Sequence, residues 1–195
     1  KYMGVSPSVI SDYEKGRRIP GSKFVKRFVE GLLKRDEERG WTVVRQLART
    51  MNLYLEAIID ICEFSKPMDV KTFSDNIMGV ILTSSTFNRK IYGYTILDSI
   101  KAIETLTGAE FFQIMGLTSE RALVFTRVSK GRSPMVAVRV SLIKPAAVVL
   151  HGPKVVDELA VKLAEQERLP LILSRFENVD DLLKTLKKLC RRCSI

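Results

Sequence analysis

The residues of this chain that can do chemistry fall in two places. The first is Ser6 to Arg18, "SPSVISDYEKGRR", where small hydroxyls and two carboxylates lead into three cations. On a helical wheel Val9, Ile10 and Tyr13 share one side, and Pro7, Ser8, Ser11, Asp12 and Lys15 share the other. Short hydrogen-bonding side chains near a helix amino end approach base edges closely, while Lys15, Arg17 and Arg18 reach flanking phosphates. The second place is a basic constellation of Thr118, Ser119, Arg121, Arg127, Lys130, Arg132, Ser133, Arg139, His151 and Lys154. In it, Gly131-Arg132-Ser133-Pro134 offers backbone N–H groups and a guanidinium to an anion. His151-Gly152-Pro153 stands where a strand passes into a helix, a favoured anion position in α/β sheets. Arg127, Arg132, Ser133, Arg139, His151 and Lys154 are therefore candidate ligands of a small anion. The plainer alternative is a hairpin turn with exposed basic residues and an ordinary histidine.

Catalysis has little to work with. One histidine must serve any acid–base role near neutral pH, and no G-x-S-x-G, paired histidine or phosphate-loop spacing accompanies it. Asp157 and Glu158 fit the first turn of a helix, where they complement its dipole. Cys190-Arg-Arg-Cys193 has a metal-binding spacing, but Cys62 and His151 are the only further soft ligands, so neither metal nor cofactor is expected. Three cysteines predict no disulfide framework, and the last two read as reduced thiols at a frayed helix end. A binding or sensing protein fits better than an enzyme.

The elements that must position these residues follow from pattern. Ser6 to Lys15 reads as a helix with Ser6 at its cap, Pro7 in its first turn and Gly16 as its stop. A second helix, Ser22 to Arg39, carries Phe24, Val25, Phe28, Val29, Leu32 and Leu33 as a broad buried stripe. Residues 41–64 read as a long helix with Val44, Leu47, Met51, Leu55, Ile58, Ile59 and Cys62 on one side, serving as core or as a dimerisation surface. Lys66-Pro67 ends it. Beyond lie a strand at Val80–Thr83, helices at Tyr94–Leu106 and Glu110–Met115, and strands at Ala122–Thr126, Met135–Val140 and Ala146–Leu150. A helix at Val155–Glu167, a strand at Leu171–Leu173 and a closing helix at Val179–Arg192 complete the chain, the last capped by Asn178. Strand and helix alternate from residue 146, which predicts a βαβ unit. The expected organisation is a helical part over 1–40, a connecting or dimerisation helix over 41–66, and an α/β domain over 67–195. The fold class is α+β or α/β.

The 195 residues carry a formal charge of +10, with a near-neutral middle between two basic ends. That distribution points to an acidic partner, nucleic acid being the common one, or to a lysine-rich solvated surface. No run of about 18 apolar residues is present, so no membrane partner and a cytoplasmic location are expected.

"GVSPSVISDYEKGRRIP" resembles the second half of a Cro/cI-type helix-turn-helix. The likeness rests on the Gly-Val-Ser turn, the Ile-Ser pair, an aromatic followed by Glu, then Gly, basic residues and Pro. The resemblance implies that Ser6 to Lys15 lies in the major groove of double-stranded DNA, with Ser6, Pro7, Ser8, Ser11, Asp12, Lys15, Arg17 and Arg18 at the interface. It also implies that Val5, Ile10 and Tyr13 pack rather than touch bases. That family places two helices ahead of the turn, where only Lys1-Tyr2-Met3 stand here, so a longer parent chain is expected. The segments "YGYTILDSIKAI", "TSERALVFTRVSKGRSPMVAVRVS" and "VVLHGPKVVDELAVKLAE" resemble archaeal HTH-type transcriptional regulators. "LPLILSRFENVDDLL" is similar, more weakly, to DRTGG-type regulatory domains. The resemblance implies a homodimeric DNA-binding regulator with a sensing or dimerising α/β domain. Candidate dimer surfaces are the 41–64 helix and a sheet edge near Val80–Thr83 or Leu171–Leu173. The rival reading is a small-molecule sensor or small enzyme that does not bind DNA and keeps a vestigial helical arm.

Overall fold

A computed structural model describes residues 5–50 and 56–193. The chain divides into two compact units, Lys1–Leu53 and Tyr54–Ile195.

The first unit is helical. Helix α1 (Pro7–Glu14) begins after Ser6 with Pro7 at its start, and Gly16 takes the left-handed conformation at φ +68° just beyond its end. Helices α2 (Ser22–Glu37) and α3 (Thr42–Thr50) follow. Tyr13 of α1 packs on Phe24 of α2 with ring centroids 4.3 Å apart. Asp36 joins α2 to α3: its buried carboxylate accepts the Val43 and Val44 N–H groups at 2.9 and 2.8 Å. The expected buried stripe on α2 is corrected here, because Val25, Val29, Leu32 and Leu33 are exposed, as is Leu47 on α3. Together Val29, Leu32, Leu33, Val43, Val44 and Leu47 line an open apolar groove.

The second unit is built on a mixed sheet. Strand β1 (Ile58–Asp69) leads into α4 (Val70–Asn76) and β2 (Gly79–Ile81). Strand β3 (Lys90–Asp98), α5 (Ser99–Thr105), α6 (Gly108–Leu117) and β4 (Ala122–Thr126) follow. Then come α7 (Arg132–Val140), β5 (Ala147–His151), α8 (Glu158–Gln166), β6 (Leu171–Ser174) and α9 (Val179–Cys193). Among the described residues the strand order is β1-β3-β4-β5-β6-β2; the four strands from β3 to β6 run parallel, and β1 and β2 flank them antiparallel. The β5–α8–β6 segment is the expected βαβ unit.

Alternation along the strands sorts two cores. Tyr94, Ile96, Val124, Val149 and Ile172 face Phe73 of α4 and Leu182, Leu186 and Leu189 of α9. Leu97, Leu123, Phe125, Val148 and Leu150 face Ile114 and Met115 of α6, Met135 and Val138 of α7, and Leu163 of α8. Full burial of each such side chain stabilises by about 1.5–3 kcal/mol.

Several expected elements are corrected. Of the helix expected over 41–64, Thr42–Thr50 is helical, and Ile58, Ile59 and Cys62 belong to β1; Met51 and Leu55 lie outside the described residues. Pro67 breaks no helix but sits in an edge strand, inside the register shift between Glu63 and Met68, where its missing N–H is tolerated. Tyr94–Asp98 is strand, with helix only from Ser99. Met135–Val140 is helical, and Arg132–Pro134 form the first turn of the same helix after the cap residue Gly131, so Lys130–Pro134 is no hairpin turn. Leu171–Leu173 is interior, paired with β5 on one side and β2 on the other, and the sheet edges are β1 and β2. Cys62 and Cys190 form a disulfide with 6.2 Å between their Cα atoms, so Cys190 is not a reduced thiol. The Cys193 side chain lies outside the described residues.

Candidate nucleic-acid interface

Helix α1 holds its apolar side inward through Tyr13 and leaves Ser8 exposed, with Ser11 and Asp12 half-buried. Ser6 Oγ lies 2.8 Å from Ser8 Oγ, which ties the two hydroxyls at the amino end into one pair. At the other end Asp12 holds two cations: Arg17 at 3.7 Å and Arg18 at 3.6 Å. Both arginine side chains are about two-thirds exposed, at 68% and 63%, so these ion pairs are solvent-screened and weak. A phosphate can take either guanidinium from Asp12 with little loss. Lys15 caps the helix carboxyl end, its N–H donating to the Ser11 carbonyl at 3.0 Å. Pro7 adds fixed backbone geometry at the start. The eight sequence-predicted residues thus occupy one short helix and the turn after it.

The basic constellation of the second unit is split. Thr118, Ser119 and Arg121 precede β4 and stand at the amino end of the parallel strands. Arg121 binds Glu63 of β1 there. Arg127, Arg132, His151 and Lys154 gather at the opposite, carboxyl end, following β4 and β5. Each arginine at that end has an acidic partner. Arg127, at φ +56°, meets buried Asp98 at 3.3 Å, and Asp98 also accepts the Ile100 and Lys101 N–H groups of α5. Arg132 meets Asp157 at 2.7 Å. Arg139 bonds Gln166 and lies 4.0 Å from Glu167, on the flank where α7 meets α8. Asp157 caps α8 through the Leu159 N–H, and Arg132 with this backbone bond holds its carboxyl below the usual range. Lys154 is exposed, and Ser133 lines a separate apolar pocket.

His151 is set apart from the arginines. It follows Leu150 on an alternating strand, so its ring turns to the α9 side of the sheet, whereas Arg132, Ser133 and Arg139 belong to α7 on the other. Among the described residues neither ring nitrogen makes a hydrogen bond of normal geometry. Burial pushes its pKa down; backbone groups at Phe176 and Asn178 pull weakly the other way. Burial thus favours the neutral ring. Gly152 beside it must lack a side chain: φ is +119°, and an added Cβ would meet the Val128 carbonyl oxygen at 2.7 Å.

The sequence reading missed Asp36, Asp98 and Asp157 as anchors of these groups. A cap-type Asp followed by a helix signal marks Asp98 and Asp157, but their arginine partners come from distant segments.

No family model matches the chain, and no solved structure matches it. Two curated relatives do. One, from Archaeoglobus fulgidus, is named an uncharacterized HTH-type transcriptional regulator; it is 48% identical over 188 residues, covering 95% of this chain and 81% of the relative. The other, from Methanocaldococcus jannaschii, bears the same kind of name and is 45% identical over 194 residues, 97% of this chain and 80% of the relative. Identity of that level across both units extends well past the helix-turn-helix segment, and the chain belongs to this family of archaeal HTH-type transcriptional regulators.

Proposed function

We propose that the protein is a sequence-specific, double-stranded-DNA-binding transcriptional regulator of Cro/cI type whose recognition helix is α1. The observation that carries the reading is the arrangement of α1: Tyr13 anchors it on α2, hydroxyls stand at its amino end, and two exposed guanidinia follow its carboxyl end. The exposed apolar groove between α2 and α3 supports a homodimer, since two-fold pairing matches two DNA half-sites. The α/β unit is a sensing or dimerisation domain of a cytoplasmic regulator, similar to DRTGG-type domains in its last strand and helix. A small anion at its carboxyl end would exchange with Asp157 on Arg132.

Selection of genomic DNA fragments on the protein, followed by fluorescence anisotropy on an enriched duplex, tests the central claim. Ser11→Ala is expected to lose about 1–3 kcal/mol of discrimination at one base pair. Arg17→Ala is expected to weaken all sequences alike and lower the salt slope by about 1. Equal affinity for enriched and scrambled duplexes at every salt concentration would refute the reading.

A further inference from the structure

The outer face of α9 has no part in the reading above. From Leu182 to Ile195 the chain holds five Lys or Arg and no Asp or Glu. With about 3.6 residues per turn, Lys184, Lys187, Lys188 and Arg191 fall within an arc of about 100° of the helix. Leu182, Leu186 and Leu189, which bury α9 on the sheet, lie on the opposite side. All four cations are exposed. Together they form a straight stripe about 10 Å long at about 1.5 Å of rise per residue.

Two observations separate this stripe from an ordinary solvated surface. Elsewhere in the unit Arg121, Arg127, Arg132 and Lys144 each meet a carboxylate, on Glu63, Asp98, Asp157 and Glu167. Lys187, Lys188 and Arg191 meet none among the described residues, and Lys184 has only the exposed Asp181 at 3.4 Å. The second observation is position along the helix. The macrodipole accounts for cations in the last turn, but Lys184, Lys187 and Lys188 stand before it. Like charges three and four residues apart repel. The leucines and the Cys62–Cys190 bridge fix α9 to the sheet, so the repulsion stays until an anion lies along the stripe.

The chemistry of the stripe selects that anion. Helix α9 has no aromatic residue, so the bases of a single strand find nothing to stack on. Its apolar side is buried, so no hydrophobic face is left to enter a bilayer. Lysine and arginine match phosphate oxygens, which position a duplex and carry no sequence information. A duplex offers them a continuous line of charge, one per about 1.7 Å of its axis.

We propose that the outer face of α9 holds the phosphate backbone of double-stranded DNA and reads no sequence there. The inference rests on the reading of the protein as a DNA-binding regulator, and it adds a contact surface in the α/β unit separate from α1.

Fluorescence anisotropy of the full chain on the enriched and the scrambled duplex, across a salt series, tests it. Lys187→Gln with Lys188→Gln should weaken both duplexes alike. The pair should flatten the slope of log K against log salt by about 0.9 for each phosphate released, about 1.8 in all. The ratio between the two duplexes should stay at its native value. Lys187→Arg with Lys188→Arg should keep the native slope, as should Lys101→Gln with Lys162→Gln on α5 and α8. Loss of like-charge repulsion should leave the melting temperature of the glutamine pair no lower than the native one. A slope unchanged by that pair, while Arg17→Ala still lowers it, overturns the proposal and leaves α1 as the reader. Equal flattening by the Lys101 and Lys162 pair also overturns it, since net charge would then be the cause. So does stripe-dependent binding of polyglutamate as tight as that of the duplex. Equal affinity for the two duplexes, with a slope that still depends on Lys187 and Lys188, removes the reading of α1 and supports the stripe.

Discussion

Reduction of the Cys62–Cys190 bridge should destabilise the α/β unit strongly, and the size of the effect follows from the connectivity. The two cysteines are 128 residues apart in sequence. Closing a loop of that length removes about 17 cal/mol/K of entropy from the unfolded chain, which corresponds to about 5 kcal/mol at 25 °C. The folded side changes little. Cys62 remains in a strand paired with β3 on both sides of it, and α9 remains seated through Leu182, Leu186 and Leu189. The loss therefore falls on the unfolded state. With about 2–4 °C of melting temperature per kcal/mol for a unit of this size, reduction should lower Tm by about 10–20 °C. The assay is a circular-dichroism melt with and without a phosphine reductant in a Cys193→Ser background, with thiol titration confirming the redox state. Cys62→Ala with Cys190→Ala should reproduce the reduced value. A fully reduced protein that melts within about 3 °C of the oxidised one would refute the loop-entropy account.

Asp36→Ala should destabilise the helical unit by about 1–2 kcal/mol, because two N–H groups at the start of α3 lose their buried acceptors; urea unfolding measures it, and Asp36→Asn, with one acceptor oxygen where the carboxylate uses two, should recover only part of the loss. Gly152→Ala should cost about 1–3 kcal/mol in the same assay, since the new Cβ meets backbone at Val128 that cannot swing aside. His151 predicts a pH dependence. Burial lowers its folded pKa, so the unfolded chain takes up a proton near pH 6.5 that the folded one refuses. The contribution is intact above that pH and is lost as pH falls toward the folded value. As the chain has one histidine, the drop in urea midpoint from pH 7.5 to 5.5 should be smaller in His151→Leu than in the native protein.

The elements that read correctly from sequence are those with one clear period and clear ends. Strand β4 was legible because Ala122–Thr126 is a short apolar run between turn signals, and α9 because Asn178 caps it and its apolar residues repeat at helical spacing. The misreadings have physical causes. Ile58, Ile59 and Cys62 keep helical spacing with Leu55, yet Cys62 and Phe64 alternate inward along β1. Tyr94–Leu97 is buried on both faces of a central strand, so no alternation marks it. Val136, Val138 and Val140 alternate like a strand, but only Met135 and Val138 turn inward, three residues apart, while Val136 and Val140 meet solvent. Tertiary packing there overrides the β-propensity of valine. In the candidate sites, the cations were visible as residue types. Their carboxylate partners and the separation of His151 from the arginines were not, because sheet order decides both.

The place of β2 has a consequence for how the chain is made. Gly79, Val80 and Ile81 pair only with Ser174, Leu173 and Ile172, about 90 residues further on. At a synthesis rate of about 5–20 residues per second, β2 waits about 5–20 s for its partner to be translated. Strand β3, by contrast, follows β1 closely and can pair with it early. A nascent chain is thus expected to assemble from the β1 edge inward, one parallel strand at a time, with the opposite edge closing last. Until β6 emerges, Val80 and Ile81 form an unpaired apolar stub open to chaperones and to the stubs of neighbouring nascent chains. The residues that finish the sheet are therefore among the first of the unit to be synthesised, and the ribosome holds the order of assembly open until nearly the last helix.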